Sequence, residues 1–188
     1  LVGAQQRINT QQDEIRELVR YAASRYVTLV PEIEMPGHFL AALAAYPHLS
    51  CTGGPFQVRT RWGIEPDVLC VGNDEAIEFA LGVLEEITDM FPSEFIHIGG
   101  DEAVKDQWQA SEEIQAMIRA KGLADEAALQ SWFITRMDAF LAEHGLRRTG
   151  IFGELTFPPD HFAVVEHLDE LSDEPADYVL VCTKSVDS

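Results

Sequence analysis

The chain has 188 residues, with 32 acidic against 13 basic side chains, a formal charge of −19 and a hydrophobic share of 46%. That much apolar material builds a sizeable core, so disorder is not the default reading. The charge argues strongly against sequence-independent nucleic-acid binding, which needs clustered Lys and Arg, and against attraction to an anionic membrane surface.

The length fits one domain or a piece of a larger one. No run of about 20 apolar residues is present to span a bilayer. Leu1-Val2-Gly3-Ala4 shows neither an initiator Met nor a basic-then-apolar leader, so the chain reads as starting inside a longer protein with any export signal out of view. Of the cysteines Cys51, Cys70 and Cys182, the first two flank one loop and either pair or stand as free thiols. No Cys-x-x-Cys marks a zinc site.

The spacing of Ile15, Leu18, Val19 and Ala22 predicts an amphipathic helix from about Gln11 to Ser24, capped at Thr10. Val27-Thr28-Leu29-Val30 reads as a short strand covered on both faces, ended by the prolines and glycine of Pro31 to His38. A long loop, roughly Pro47 to Gly72, follows; loops of that length in compact domains are usually functional or mobile. Asn73 caps a second helix to about Met90, with Ile77, Leu81, Leu84 and Phe91 on one face. Phe95-Ile96-His97-Ile98 is a second buried strand. Ser111 caps a small helix holding Ile114, Met117 and Ile118, which stops at Gly122. A longer helix, about Glu126 to His144, turns Leu129, Phe133, Met137, Phe140 and Leu141 inward and ends at Gly145. Beyond it, Arg147 to Phe152 and Tyr178 to Val181 read as further strands around an acidic, turn-rich stretch.

Strands alternating with helices imply a parallel α/β fold, either a barrel or an open doubly wound sheet. No Gly-x-Gly-x-x-Gly follows either strand, which weakens the dinucleotide-binding version. Polar clusters at the C-terminal ends of both strands favour a (β/α)8 barrel, whose active site lies there. A whole barrel takes about 250 residues, so this chain is read as part of one.

Asp101 and Glu102 follow Gly99-Gly100 directly. Neighbouring strand residues point to opposite faces, but the two glycines break the pleat and let both carboxylates reach one pocket. Crowded carboxylates repel, and the less solvated one holds its proton; one then donates a proton while the other stays ionised. The bland alternative is that Asp101 caps the next helix. His38 either contacts substrate and Glu102 or is an exposed loop histidine, and His97 reads as a satisfied histidine within the strand. His38, His97, Asp101 and Glu102 form only a weak metal-ligand set, without His-x-His or His-Glu-x-x-His spacing. Trp62 and Trp108 are read as loop aromatics near the pocket mouth, suited to stacking on a sugar ring, and Trp132 as helix packing. Arg59 and Arg61 either orient a ligand or form surface ion pairs.

Val30-Pro31-Glu32-Ile33-Glu34-Met35-Pro36-Gly37-His38, followed by His97-Ile98-Gly99-Gly100-Asp101-Glu102, resembles the family 20 glycoside hydrolases, the β-N-acetylhexosaminidases. Cys51-Thr52-Gly53-Gly54-Pro55, Arg59-Thr60-Arg61-Trp62-Gly63 and Leu129-Gln130-Ser131-Trp132-Phe133 also look like that family's bacterial members. The resemblance covers about residues 11 to 146. It implies a partial TIM barrel, about strands 3 to 5 with their helices, in residues 1–146, followed by a divergent or mis-joined tail at 147–188. It implies hydrolysis of terminal non-reducing N-acetylhexosamine from β-glycosides, with N-acetylglucosamine- or N-acetylgalactosamine-containing glycans as partners. The mechanism implied is retaining and substrate-assisted, an exception to the two-carboxylate scheme. Glu102 matches the general acid, Asp101 the carboxylate that orients the 2-acetamido group, and His38 a supporting residue. No metal or cofactor is implied, and an extracellular or periplasmic location is favoured. Two rivals are a non-catalytic remnant of such a domain and a metal-dependent hydrolase.

Three departures stand out. The family commonly has Asp where this chain has Glu34, and its sugar-gripping Arg would precede Leu1. After Arg148 it has a Gly-Trp-Asp-Glu strand, where this chain has Gly150-Ile151-Phe152-Gly153-Glu154.

Overall fold

The computed structural model describes residues 2–149 and 179–181, with side chains from 11 to 146. Helix α1 (Val2–Ser24) runs straight through Thr10, so the expected cap there is not one. Ala4-Gln5-Gln6-Arg7 and the glutamines that follow are good helix formers, and nothing among them stops the helix. The helix buries Ala22, half-buries Ile15, Leu18 and Val19, and leans on α3 (Asp74–Met90).

Strand β1 (Leu29–Pro31) is buried throughout. It starts two residues later than its sequence suggested. Two elements inside the apparent loops were not anticipated: α2 (Leu40–Ala45) and a 3-10 turn at Pro47–Leu49. Leu40 and Leu43 are the buried side chains of an Ala-rich helix too short to show a period, and Pro47 prevents its extension. A bridge from Ser50 to Leu69 and a Cys51–Cys70 disulfide, with Cα atoms 4.9 Å apart, then close the long loop at its base.

Helix α3 begins as expected: the Asn73 side chain accepts the Glu75 N–H at 2.9 Å. Its apolar face buries Ala76, Ile77, Ala80 and Leu84. Strand β2 (Phe95–His97) leads through an irregular segment to α4 (Asp106–Ala110) and α5 (Glu112–Lys121). Ser111 caps α5 through the Ile114 N–H, and Asp125 caps α6 (Glu126–Glu143) through the Ala128 N–H. The inner face of α6 buries Leu129, Phe133, Met137 and Leu141, as its spacing predicts.

Strand β3 (Arg147–Thr149) pairs parallel with β2, Phe95 opposite Arg147. Strand β4 (Val179–Val181) pairs parallel with β1. The N–H groups of Ile33 and Met35 reach the carbonyls of His97 and Ile98 at 2.7 and 3.1 Å, and Glu32 bridges His97, which joins the two ladders in the order β4, β1, β2, β3. The described strands are therefore parallel, as the alternation implied, and among the described residues they form no closed barrel. The core gathers residues of these strands, the loops and the helices, with Met35, Leu43, Leu69, Ile96, Phe133 and Trp108 almost wholly enclosed. Most of the 147–188 tail, Gly150 to Glu154 included, lies outside the described residues.

Candidate active site

Because β1 and β2 are parallel neighbours, the segments leaving their C-terminal ends emerge side by side. One is Glu32 to His38 and the other Gly99 to Glu102. Gly99 and Gly100 have φ of 61° and 95° and turn the chain out of β2, a region open to glycine at little cost. A Cβ at Gly99 would fall on the Glu34 carboxylate, so only glycine leaves room for that group. Glu34 Oε1 accepts the Gly100 N–H at 3.0 Å, and the carboxyl also hydrogen-bonds Asp101.

Burial pushes the Glu34 carboxyl up to about 8. The Gly100 N–H opposes that rise, while the nearby Asp101 and Glu32 charges add to it. At neutral pH Glu34 therefore keeps its proton mostly, and a protonated carboxyl beside Asp101 donates to it. Asp101 does not cap a helix: α4 starts only at Asp106, after Lys105.

Glu102 is held differently. His38 Nε2 lies 2.9 Å from Glu102 Oε2, with side-chain exposures of 22% and 38%, so the Glu102 carboxylate is the more accessible partner. Both backbones are left-handed, φ 51° at His38 and 49° at Glu102. Gly37 brings the two turns together: a Cβ there would sit 3.3 Å from the Asp101 carbonyl oxygen and from Ala103 Cα. The adjacent carboxylates thus have separate partners, the half-buried Glu34 carboxyl for Asp101 and an imidazole for Glu102.

His97 Nδ1 accepts the Gly99 N–H at 3.2 Å and lies 3.4 Å from Glu32 Oε1. Through the Gly99 N–H the ring braces the bend that follows β2. Among the described residues, no three of His, Cys, Asp and Glu are placed to hold a metal ion. No described helix is long and apolar enough to cross a membrane.

The tryptophans divide. Trp62 is 85% exposed on the long loop. Trp108 is not a loop aromatic at a pocket mouth: it lies on α4, fully buried, with its indole N–H on the Leu69 carbonyl at 3.1 Å. Trp132 packs under Lys121 and Arg136, whose cationic groups lie 4.2 and 5.4 Å from its ring. Arg59 is an ion-pairing residue; it engages Glu65 and the carbonyls of Ile64 and Trp62, tying the loop to itself.

Three polar residues around this site were not singled out from the sequence as site residues. Glu34 was noted only as a substitution for Asp. Gln130 and Lys105, which touch the carboxylate-bearing segment, had one available signal: Gln130 interrupts the apolar inner face of α6 between Leu129 and Phe133.

The model of the glycosyl hydrolase family 20 catalytic domain matches residues 4–155. A β-hexosaminidase of Porphyromonas gingivalis is 47% identical over 139 residues, 74% of this chain but 18% of that protein. The crystal structure of a β-N-acetylhexosaminidase from Bacteroides fragilis superposes with a TM-score of 0.68 at 39% identity, covering 74% of this chain and 27% of that one. An exo β-N-acetylglucosaminidase from Vibrio harveyi, in complex with N-acetylglucosamine, superposes at 0.64 with 32% identity, over 74% and 22% of the two chains. The chain thus spans less than a third of these relatives, whose likeness implies a TIM-barrel catalytic domain. On the extent of the family match and the identity to these relatives, the chain belongs to glycosyl hydrolase family 20, within its catalytic domain.

Proposed function

We propose that the protein carrying this segment removes terminal non-reducing N-acetylhexosamine from β-glycosides, with Glu102 as proton donor and Asp101 as the group that holds the substrate's acetamide. The observation that carries this reading is the unequal partnering of the adjacent carboxylates, Glu102 on His38 at 2.9 Å and Asp101 on Glu34. Two neighbouring carboxylates cannot flank a sugar ring from opposite faces, as nucleophile and acid do in the two-carboxylate scheme. They can serve one face if the substrate brings its own nucleophile.

In that scheme the Glu102 proton passes to the glycosidic oxygen as the bond to the anomeric carbon breaks. The acetamide oxygen bonds to that carbon, while Asp101 accepts a hydrogen bond from the acetamide N–H and balances its growing positive charge. Water then attacks the same carbon, gives its proton to the Glu102 carboxylate and reopens the ring with retention. His38 orients Glu102 throughout. Trp62 offers an exposed indole face to a sugar beyond the cleaved bond.

Strands β1, β2 and β3 then correspond to about strands 3 to 5 of the barrel, so the barrel portion runs past residue 146 through Thr149, and the divergent tail begins after it. The Cys51–Cys70 disulfide supports an oxidising location, extracellular or periplasmic. In the full-length protein, a chromogenic N-acetylglucosaminide is expected to be cleaved and the matching glucoside spared. Glu102→Gln lowers kcat by about 10²- to 10⁴-fold, the usual worth of a general acid. Equal cleavage of both glycosides would overturn the substrate-assisted reading, full activity in Glu102→Gln would remove the acid role, and inactivation by a chelator would favour the metal-dependent rival.

A further inference from the structure

The segment bearing Asp101 and Glu102 is gripped from behind by residues that the scheme above does not use. Gln130 of α6 is only 8% exposed, and its Nε2 donates to the Gly100 carbonyl at 2.7 Å. Its Oε1 accepts from the Lys105 ammonium, which also donates to the Ala103 carbonyl at 2.6 Å. One amide and one ammonium therefore tie together the carbonyls on either side of the carboxylate pair. The ammonium stands 5.4 Å from the centre of the Trp108 ring, and Trp108 is itself fixed to Leu69.

Polar groups at such sites are costly to desolvate. Gln130 sits among Leu129, Phe133 and Ile134, and burial lowers the Lys105 pKa, with the nearby Glu126 charge opposing that shift. Apolar residues of similar volume serve bare stability as well or better in such places. What the pair does instead is specific: both ends of the amide are satisfied, and two of the three bonds end on the 100–103 backbone. Asp101 has its own hold in Glu34, whereas Glu102 sits in a left-handed conformation that surrounding contacts must maintain.

We propose that Lys105 and Gln130 are positioning residues for the proton donor: their bridge from Gly100 to Ala103 holds the backbone of Glu102 where its carboxyl meets the leaving-group oxygen. This rests on the hydrolase reading above. Neither residue touches the reacting atoms.

The test uses the full-length protein and two N-acetylglucosaminides, one with an alkyl leaving group and one with a dinitrophenyl leaving group. Departure of dinitrophenolate needs little acid help, so kcat/KM for that glycoside, which ends at the bond-breaking step before water attacks, reports on everything except the proton donor. Lys105→Met and Gln130→Met are each expected to lower kcat for the alkyl glycoside about tenfold, with KM within about twofold and kcat/KM for the dinitrophenyl glycoside within about threefold, the pattern of a misplaced proton donor. The double variant costs about as much as the worse single one, because the two act as a unit. Lys105→Arg keeps the cation and its donors and is expected to recover part of the loss, which guards against variants that fail to fold. Equal losses on both glycosides, or unchanged rates on the alkyl one, would overturn the proposal. Amide hydrogen exchange over residues 99–104 decides the bridge without turnover: faster exchange is expected in both Met variants, and unchanged exchange overturns the proposal. A wild-type protein that cleaves neither glycoside would sink the hydrolase reading instead, and the acid-positioning role with it, while exchange still reports whether the bridge exists.

Discussion

His38 and Glu102, 64 positions apart in the chain, meet at 2.9 Å, and each does so from a left-handed backbone. Left-handed conformations at residues other than glycine are uncommon and cost on the order of 1–3 kcal/mol each. Two of them in contact, at the ends of neighbouring parallel strands, mark where the fold spends stability on geometry. His38→Ala removes the imidazole that fixes the Glu102 carboxylate. The expected result is a kcat about 10- to 100-fold lower with KM little changed, as small displacements of a catalytic group can cost. Steady-state kinetics on an N-acetylglucosaminide decide it, and an unchanged kcat would show that His38 only fills the turn.

Glu34 gives the site a pH dependence whose sign is fixed. Its carboxyl rises from 4.5 to about 8 on folding, chiefly through burial. The folded chain thus holds this proton more tightly than the unfolded chain. The stabilisation is fully present below about 4.5 and is lost as pH climbs through about 8. Glu34 is only partly buried, so solvent screening reduces the effect. Glu34→Gln mimics the protonated form and should flatten the trend. The measurement is Tm against pH for both proteins. A wild-type Tm that falls no more than the variant's across that window contradicts a protonated Glu34.

Gly99 separates backbone strain from collision. At φ 61° an alanine pays the left-handed cost, about 1–2 kcal/mol, and its Cβ also lands on the Glu34 carboxylate. Gly145 has a φ of 72° with nothing within 4 Å of a Cβ, so Gly145→Ala measures the backbone cost alone. Denaturant unfolding should show Gly99→Ala as the more destabilising of the two, with hydrolysis lost in Gly99→Ala and kept in Gly145→Ala. Equal destabilisation would mean that Glu34 moves aside freely.

The sequence was informative where a period or a cap repeats a physical rule. Asn73, Ser111 and Gly122 sit at helix ends because they satisfy terminal N–H groups or accept a left-handed turn, and the α6 face was visible in its spacing. It was uninformative where the deciding contact is non-local. Nothing near Trp108 in the chain shows that its indole reaches Leu69, 39 residues earlier, which removes it from any pocket mouth. The raised pKa of Glu34 likewise comes from burial and from the charge of Asp101, which is distant in the chain. Helix α2 was hidden for a simpler reason, since six residues are too few for an amphipathic pattern. The Asp101–Glu102 pair was legible as a site because Gly99-Gly100 announces a break in the strand; unequal roles for the two came only with the family resemblance, and which neighbour each carboxylate meets only with the structure.

The Cys51–Cys70 disulfide links stability to the site through Leu69. The Leu69 N–H donates to the Pro36 carbonyl at 3.0 Å, next to the turn that carries His38. The Leu69 carbonyl takes the Trp108 indole, and Trp108 packs beside the Lys105 ammonium. Removing the crosslink by Cys51→Ser with Cys70→Ser frees a loop whose ends lie 19 positions apart, and loop-closure entropy puts the cost at about 3 kcal/mol. The Ser50–Leu69 bridge and the core residue Leu49 remain, so the base of the loop should stay closed below the melting transition. The double serine variant is therefore expected to melt several degrees lower yet keep kcat within about threefold when assayed well below its Tm. Thermal unfolding and kinetics together check it. A variant with unchanged Tm would mean that the crosslink constrains nothing the native contacts do not already fix, and a collapse of kcat at low temperature would place the disulfide in the support of His38 itself.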